Sequence, residues 1–60
     1  MKFTTNTGRE IVTHKPYLLV RDSVTKNPKH YVEIYLAEGV SEIHEITEKE
    51  WNRLIQEYNK

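Results

Sequence analysis

Residues 30 to 40, HYVEIYLAEGV, alternate in character with a period of two. Successive side chains of a β-strand point to opposite faces of its sheet, so this pattern predicts a strand with two different faces. One face would carry three aliphatic side chains, those of Val32, Ile34 and Leu36. The other would carry Tyr31, Glu33 and Tyr35. The aliphatic face is typical of a core, whereas the tyrosine face has no evident cover.

Residues 47 to 58 carry the pattern of an amphipathic helix. Thr47 and Glu50 form a capping box, in which the Thr hydroxyl accepts from an early helix N–H and the Glu carboxylate reaches back to the cap. Ile46 and Trp51 are spaced to form a hydrophobic staple. The helix is predicted from about Glu48 to Tyr58, with one buried stripe at the i, i+3, i+4, i+7 positions. This stripe consists of Trp51, Leu54, Ile55 and Tyr58.

The rest of the chain is predicted to form strands and turns. Residues 17–22, YLLVRD, are β-prone, and Asn27 and Pro28 end that segment in a polar loop. Residues 37–39, AEG, have the length of a three-residue hairpin loop with Gly39 in a left-handed conformation, so residues 40–46 should return antiparallel. A first hairpin is predicted from residues 2–5 and 9–14 around the turn NTG at 6–8.

These elements predict an α+β fold: an antiparallel β-meander of three to five strands with one C-terminal α-helix packed on one face, in a single compact domain of residues 1–60. Period-two alternation assigns the helix-covered face to Leu18, Val20, Val32, Ile34 and Leu36. A single helix covers only one side of a sheet. The uncovered side is expected to display Tyr17, Leu19, Arg21, Tyr31, Glu33 and Tyr35, with Ile43 or His44 beyond them.

Composition narrows the class of protein. The chain has 60 residues and no cysteine, which argues against a secreted disulfide scaffold and favours a reducing compartment. Its start lacks the apolar run of a signal peptide, and no segment approaches the length needed to cross a bilayer. We therefore expect a cytoplasmic protein without a membrane partner. Net charge is zero, although the first half is basic and the second acidic, which could steer a partner unless pairing of the strands interleaves the two halves.

The residue types that carry catalysis or metal binding are not arranged for either. His14, His30 and His44 have no ligand spacing, and we interpret them as exposed or half-buried imidazoles. Ser23 and Ser41 lie outside any nucleophile context, and the two glycines build no phosphate loop. The sequence therefore predicts a protein that is not an enzyme and uses no metal or cofactor.

Tyr17, Leu19, Arg21, Tyr31, Glu33 and Tyr35 are our candidate partner-binding residues, because clustered aromatic and Arg side chains on adjacent strands are typical of interaction surfaces. A competing interpretation is that the first hairpin folds over these residues and forms a second small core. Tyrosines at outer strand positions also make good cross-strand pairs without any partner.

Three functions fit such a face. The first is a protein-binding module, an inhibitor, adaptor or regulator that docks its aromatic sheet face or sheet edge on an unidentified protein. The second is a single-stranded nucleic-acid-binding domain that stacks bases on the rings, which the near-neutral pI and Glu33 disfavour. The third is a homodimer through the same face. Phage and mobile-element genomes encode many lone domains of this kind. In its Glu, Lys and Asn content and its acidic end, SEIHEITEKEW, the chain is similar in style to small Gram-positive or phage proteins, a likeness of composition that implies no family.

Overall fold

The computed structural model describes residues 1–24 and 26–59, which form five strands and one helix in an α+β fold. The elements are β1 (Lys2–Thr4), β2 (Glu10–Val12), β3 (Tyr17–Asp22), β4 (Lys29–Ala37), β5 (Val40–Ile46) and α1 (Glu48–Tyr58). Strands β3, β4 and β5 form an antiparallel meander in that order, and β1 and β2 form a separate antiparallel hairpin. The predicted fold class is confirmed, with the strands divided between two sheets.

The first hairpin, residues 1–13, is closed by backbone pairing and a polar turn. Phe3 lies opposite Ile11, and the Met1 ammonium donates to the Thr13 carbonyl oxygen at 2.6 Å. The Thr5 hydroxyl accepts from the Arg9 backbone N–H at 3.1 Å, and Gly8 adopts φ 86°, which side chains other than glycine rarely tolerate. The predicted hairpin is confirmed, with shorter strands.

The turn between β4 and β5 is tighter than predicted. Ala37 pairs with Val40, so the loop has two residues, Glu38 and Gly39, where the sequence predicted three. Gly39 has the expected left-handed conformation, φ 74°. The register shifts between Tyr35 and Ala37, so the extra residue is absorbed as an irregularity within β4.

The helix begins as predicted, but the capping box is only half formed. The Thr47 hydroxyl accepts from the Glu50 N–H at 3.2 Å. The Glu50 carboxylate does not return to the cap: one oxygen accepts from the Thr4 N–H at 2.6 Å and the other from Arg53 Nε at 2.5 Å. Arg53 also donates to the Lys2 carbonyl oxygen at 2.9 Å. Glu50 and Arg53 therefore tie the helix to the first hairpin.

The core lies between the three-stranded sheet, the helix and the first hairpin. Among the described residues, five apolar ones are buried, and they come from all three parts: Phe3, Val32, Ile34, Ile46 and Leu54. Six half-buried residues pack around them: Met1, Ile11, Tyr17, Leu19, Leu36 and Trp51. Tyr58, which helical periodicity placed in the buried stripe, is 69% exposed, so that prediction is wrong. It lies in the last turn of the helix.

The predicted facing of β3 is also wrong. Leu19 pairs with Val32 and Tyr17 with Ile34, so Tyr17 and Leu19 share the helix-covered face. Leu18 and Val20 point to the other side. The segment YLLV offers large apolar side chains to both faces, so alternation alone could not choose between them. The register with β4 decides, because it sets the larger pair over the core.

Among the described residues, no helix is long and apolar enough to cross a membrane.

Candidate functional site: the open face of the sheet

The site is the side of the three-stranded sheet that the helix does not cover. Cross-strand pairing places six central side chains there. We call this surface the open face; it consists of Leu18, Val20, Tyr31, Glu33, Tyr35 and Ile43. The first hairpin packs on the opposite side, where the Phe3 ring lies edge-on to the His44 ring at 6.0 Å between centroids. The competing interpretation, in which this hairpin covers the tyrosines, is therefore wrong.

The open face exposes several large apolar side chains to solvent. Leu18 is 50% exposed, Tyr35 is 42% exposed and Ile43 is 63% exposed. Tyr31 is half-buried between its neighbours. A shallow depression of about 350 Å³ is lined by Val20, Tyr31, Glu33 and Ile43. Contiguous exposed apolar surface of this kind marks interaction sites more often than isolated exposed residues do.

Glu33 lies at the centre of this apolar surface. The Tyr35 hydroxyl donates to one carboxylate oxygen at 3.1 Å, and the Ser41 hydroxyl donates to the other at 3.1 Å. The first of these bonds raises the pKa of the Tyr35 phenol above its ordinary value, because the phenol can donate to the carboxylate only while it is protonated. Within residues 1–24 and 26–59, no ion pair involves Glu33. The carboxylate is oriented by two neutral donors and is not neutralised by a described cation.

The charged residues around this centre are mostly acidic. Glu45 lies opposite Tyr31, and Asp22 lies opposite Lys29 at the end of the sheet. With Glu33, the described residues of β3, β4 and β5 therefore place three carboxylates and one ammonium on this side of the sheet. A positively charged partner group is favoured there over a phosphate backbone.

The structure divides the six predicted site residues into two groups. Tyr31, Glu33 and Tyr35 lie together on the open face, as expected. Tyr17, Leu19 and Arg21 lie on the helix-covered side, where Tyr17 and Leu19 pack against the core and Arg21 is opposite the buried His30. The prediction that they share a face with the tyrosines is wrong, because the register of β3 has the opposite parity from the one assumed.

Leu18 and Val20 take the predicted places of Tyr17 and Leu19 on the open face. Of the two residues expected beyond them, Ile43 lies on the open face and His44 on the other side. Sequence analysis missed Leu18 and Val20 as site residues. Their signal was present in the run YLLV, in which either pair of apolar residues can face outward.

The three histidines do not come together. His30 is buried, with its ring 5.1 Å from the Trp51 ring between centroids, so the expectation of an exposed or half-buried imidazole is wrong there. His44 is half-buried, and His14 is exposed. In the described part of the chain, no group of three or more His, Cys, Asp or Glu side chains is placed to hold a metal ion.

No protein-family model matches this chain, and neither curated proteins nor solved structures include one significantly similar to it.

Proposed function

We propose that the protein is a small non-enzymatic protein-binding module, an inhibitor, adaptor or regulator that docks through its open face in the cytoplasm. One observation carries the proposal. The helix and the first hairpin both pack on the same side of the sheet, which leaves Leu18, Tyr35 and Ile43 in contact with solvent. A chain of this size gains stability from every apolar residue it buries, so exposed ones at the centre of a sheet favour a binding role.

The open face favours a protein surface that is apolar with a basic residue at its centre. Tyrosines offer large contact area at low entropic cost and carry a polar tip, which is why they are enriched at interface centres. Glu33 lies between two of them and is held in place by the Tyr35 and Ser41 hydroxyls. An Arg or Lys side chain of the partner would meet the carboxylate and a tyrosine ring together.

The structure supports the nucleic-acid alternative less well than the sequence did. Stacking platforms combine aromatic rings with cations that hold phosphates. Arg21 and Tyr17 lie on the helix-covered side, and Glu33 and Glu45 lie beside Tyr31. The charged groups closest to the remaining rings are thus acidic ones, which repel phosphates.

Comparative affinity capture tests the proposal. Three tagged baits would be exposed to a lysate of the natural host: the wild type, the double variant Tyr31→Ala with Tyr35→Ala, and a control with Asn52→Ala and Gln56→Ala. The control residues are exposed on the helix. We expect one or a few proteins to be recovered at least about tenfold less by the tyrosine variant and equally by the control, as for loss of interface-centre residues.

Two other results would count against the proposal. Equal recovery by all three baits would contradict docking through the open face. Retention of the wild type on single-stranded DNA or RNA, steeply weakened by salt and lost in the tyrosine variant, would favour the nucleic-acid alternative. Circular dichroism of both variants must match that of the wild type, so that loss of binding is not loss of fold.

A further inference from the structure

The three-stranded sheet has two outer edges, and they differ in character. At the edge formed by β5, the Asn6 N–H donates to the Glu45 carbonyl oxygen at 2.9 Å, so the first hairpin covers part of it. Glu42 and Glu45 add negative charge along this strand. At the edge formed by β3, no described strand pairs. The edge of β3 is therefore the open one.

Backbone groups of β3 point outward along this edge. The Tyr35 N–H donates to the Pro16 carbonyl oxygen at 2.9 Å, which fixes the alternation of hydrogen-bonded and non-hydrogen-bonded pairs between β3 and β4. By that alternation, Tyr17, Leu19 and Arg21 are non-hydrogen-bonded with β4. Their N–H and C=O groups form a row of three donors and three acceptors directed away from the sheet.

Natural proteins usually protect such edges with central charges, prolines or bulges. In β3, Arg21 lies near one end and Pro16 precedes the other, while the centre is Leu18, Leu19 and Val20. An apolar edge strand of six residues without a central charge is a template for pairing with another strand.

A groove runs beside this edge on the helix side. Its volume is about 190 Å³, and it is lined by Tyr17, Leu18, Leu19, Ile55 and Tyr58. Tyr58 is 69% exposed in the last turn of the helix. A strand added to β3 would send alternate side chains towards this groove and would cover Tyr58.

We propose that β3 pairs with β3 of a second copy of the chain, antiparallel and centred on Leu19, to form a symmetric dimer with a continuous six-stranded sheet. The segment is self-complementary in this register. Leu19 meets Leu19 of the second copy, Leu18 meets Val20, and each Tyr17 ring meets an Arg21 guanidinium. The two Arg21 residues lie at opposite ends, so no like charges face each other.

The symmetry has a consequence for the open face. A two-fold axis between antiparallel strands is perpendicular to the sheet, so both open faces lie on one side and both helices on the other. The dimer would present two copies of the open face side by side. The pairing uses the β3 edge and not the open face. The dimer proposal can therefore be wrong while the proposed docking function is right, and the docking function can be wrong while the dimer proposal is right.

Sedimentation velocity from low micromolar to near-millimolar concentration tests the dimer. We expect the wild type to dimerise weakly and reversibly, since an interface formed by one pair of strands is small. Arg21→Pro removes an outward N–H and the contact with the Tyr17 ring, and should weaken dimerisation by about 30-fold or more. Ile43→Pro makes the matched change at the β5 edge, because alternation directs the Ile43 backbone outward, and should leave dimerisation unchanged.

A wild type that stays monomeric throughout overturns the proposal. So does a dimer that Ile43→Pro dissociates and Arg21→Pro does not, which would point to pairing through the β5 edge or the open face, both of which include Ile43. Because the chain has no cysteine, a single introduced thiol reports the register. Leu19→Cys should form a disulfide dimer under mild oxidation and Val20→Cys should not; equal crosslinking would contradict pairing centred on Leu19.

Discussion

The two faces of β4 differ in what covers them, although they come from one strand. On one side Val32 and Ile34 are almost fully buried, beneath Phe3 and Leu54. On the other, Tyr35 is 42% exposed and its hydroxyl is bonded to a carboxylate two residues away. Period-two alternation has given the strand a stabilising face and a surface face.

In this small domain, the residues of the core and the residues of the open face therefore lie on opposite sides of one sheet. The first hairpin could have covered the open face and enlarged the core. Instead, Glu50 and Arg53 hold it on the helix side through the Thr4 N–H and the Lys2 carbonyl oxygen. As a result, the domain has a single small core, and the other side of the sheet stays exposed to solvent.

The largest effect on the unfolding free energy is expected from a substitution on the helix-covered side of the sheet. Phe3→Ala removes a fully buried ring that joins the first hairpin to the core, and should cost about 3–5 kcal/mol of unfolding free energy. In a domain of this size such a loss can unfold much of the population. Urea denaturation followed by circular dichroism measures it. A loss below about 1 kcal/mol would mean that the first hairpin does not contribute to the core.

A smaller, pH-dependent effect is expected at Glu50. The hydrogen bond from Arg53, with that from the Thr4 N–H, lowers the pKa of this carboxyl below its ordinary value despite its side chain being only 14% exposed. Its stabilisation is therefore present above the unfolded pKa of about 4.3 and is lost as pH falls through the folded pKa. Glu50→Gln should cost about 1–2 kcal/mol at neutral pH.

The control for this prediction is Glu48→Gln in the same turn of the helix, where the side chain is exposed. It should change the unfolding free energy by about 0.5 kcal/mol or less, through the helix dipole alone. Urea titrations at neutral and acidic pH measure the difference in unfolding free energy between the wild type and Glu50→Gln. This difference should become smaller in acid. A difference in unfolding free energy that does not change with pH would contradict the role assigned to the Glu50 charge.

The smallest effect on stability is expected on the open face. Ile43→Ala removes a side chain that is 63% exposed, and should cost about 0.5 kcal/mol or less. Thermal unfolding of this variant beside Phe3→Ala compares the two faces directly. If Ile43→Ala were as destabilising as Phe3→Ala, the open face would be part of the core.

Sequence patterns predicted the elements well because local signals were strong. The cap at Thr47 set the start of the helix, and Gly39 set the β4–β5 turn. Alternation in β4 correctly separated Val32 and Ile34 from Tyr31 and Tyr35, since each face there has one character.

The faces on which the β3 side chains lie, and the long-range contacts, could not be predicted. In β3, four apolar residues in a row left the parity to its pairing with β4. Phe3 has no periodic neighbours in its short strand, so nothing local marked it as core. Glu50 fitted a local capping pattern, yet the Thr4 N–H, 46 residues away, receives its carboxylate in the fold. For the same reason, only the three β4 residues of the predicted site lie together on the open face, because β4 had a clear pattern and β3 did not.

Methyl NMR in host lysate tests the docking role of the open face most directly. With Ile, Leu and Val methyl groups labelled, we expect Leu18, Val20 and Ile43 signals to shift or broaden when host lysate is added, while buried Val32 and Leu54 stay sharp. Lysate from an unrelated organism, and the Tyr31→Ala, Tyr35→Ala variant, serve as controls and should show no selective change. Open-face methyls that respond no more than the rest of the surface, or equally in both lysates, would contradict a docking surface there.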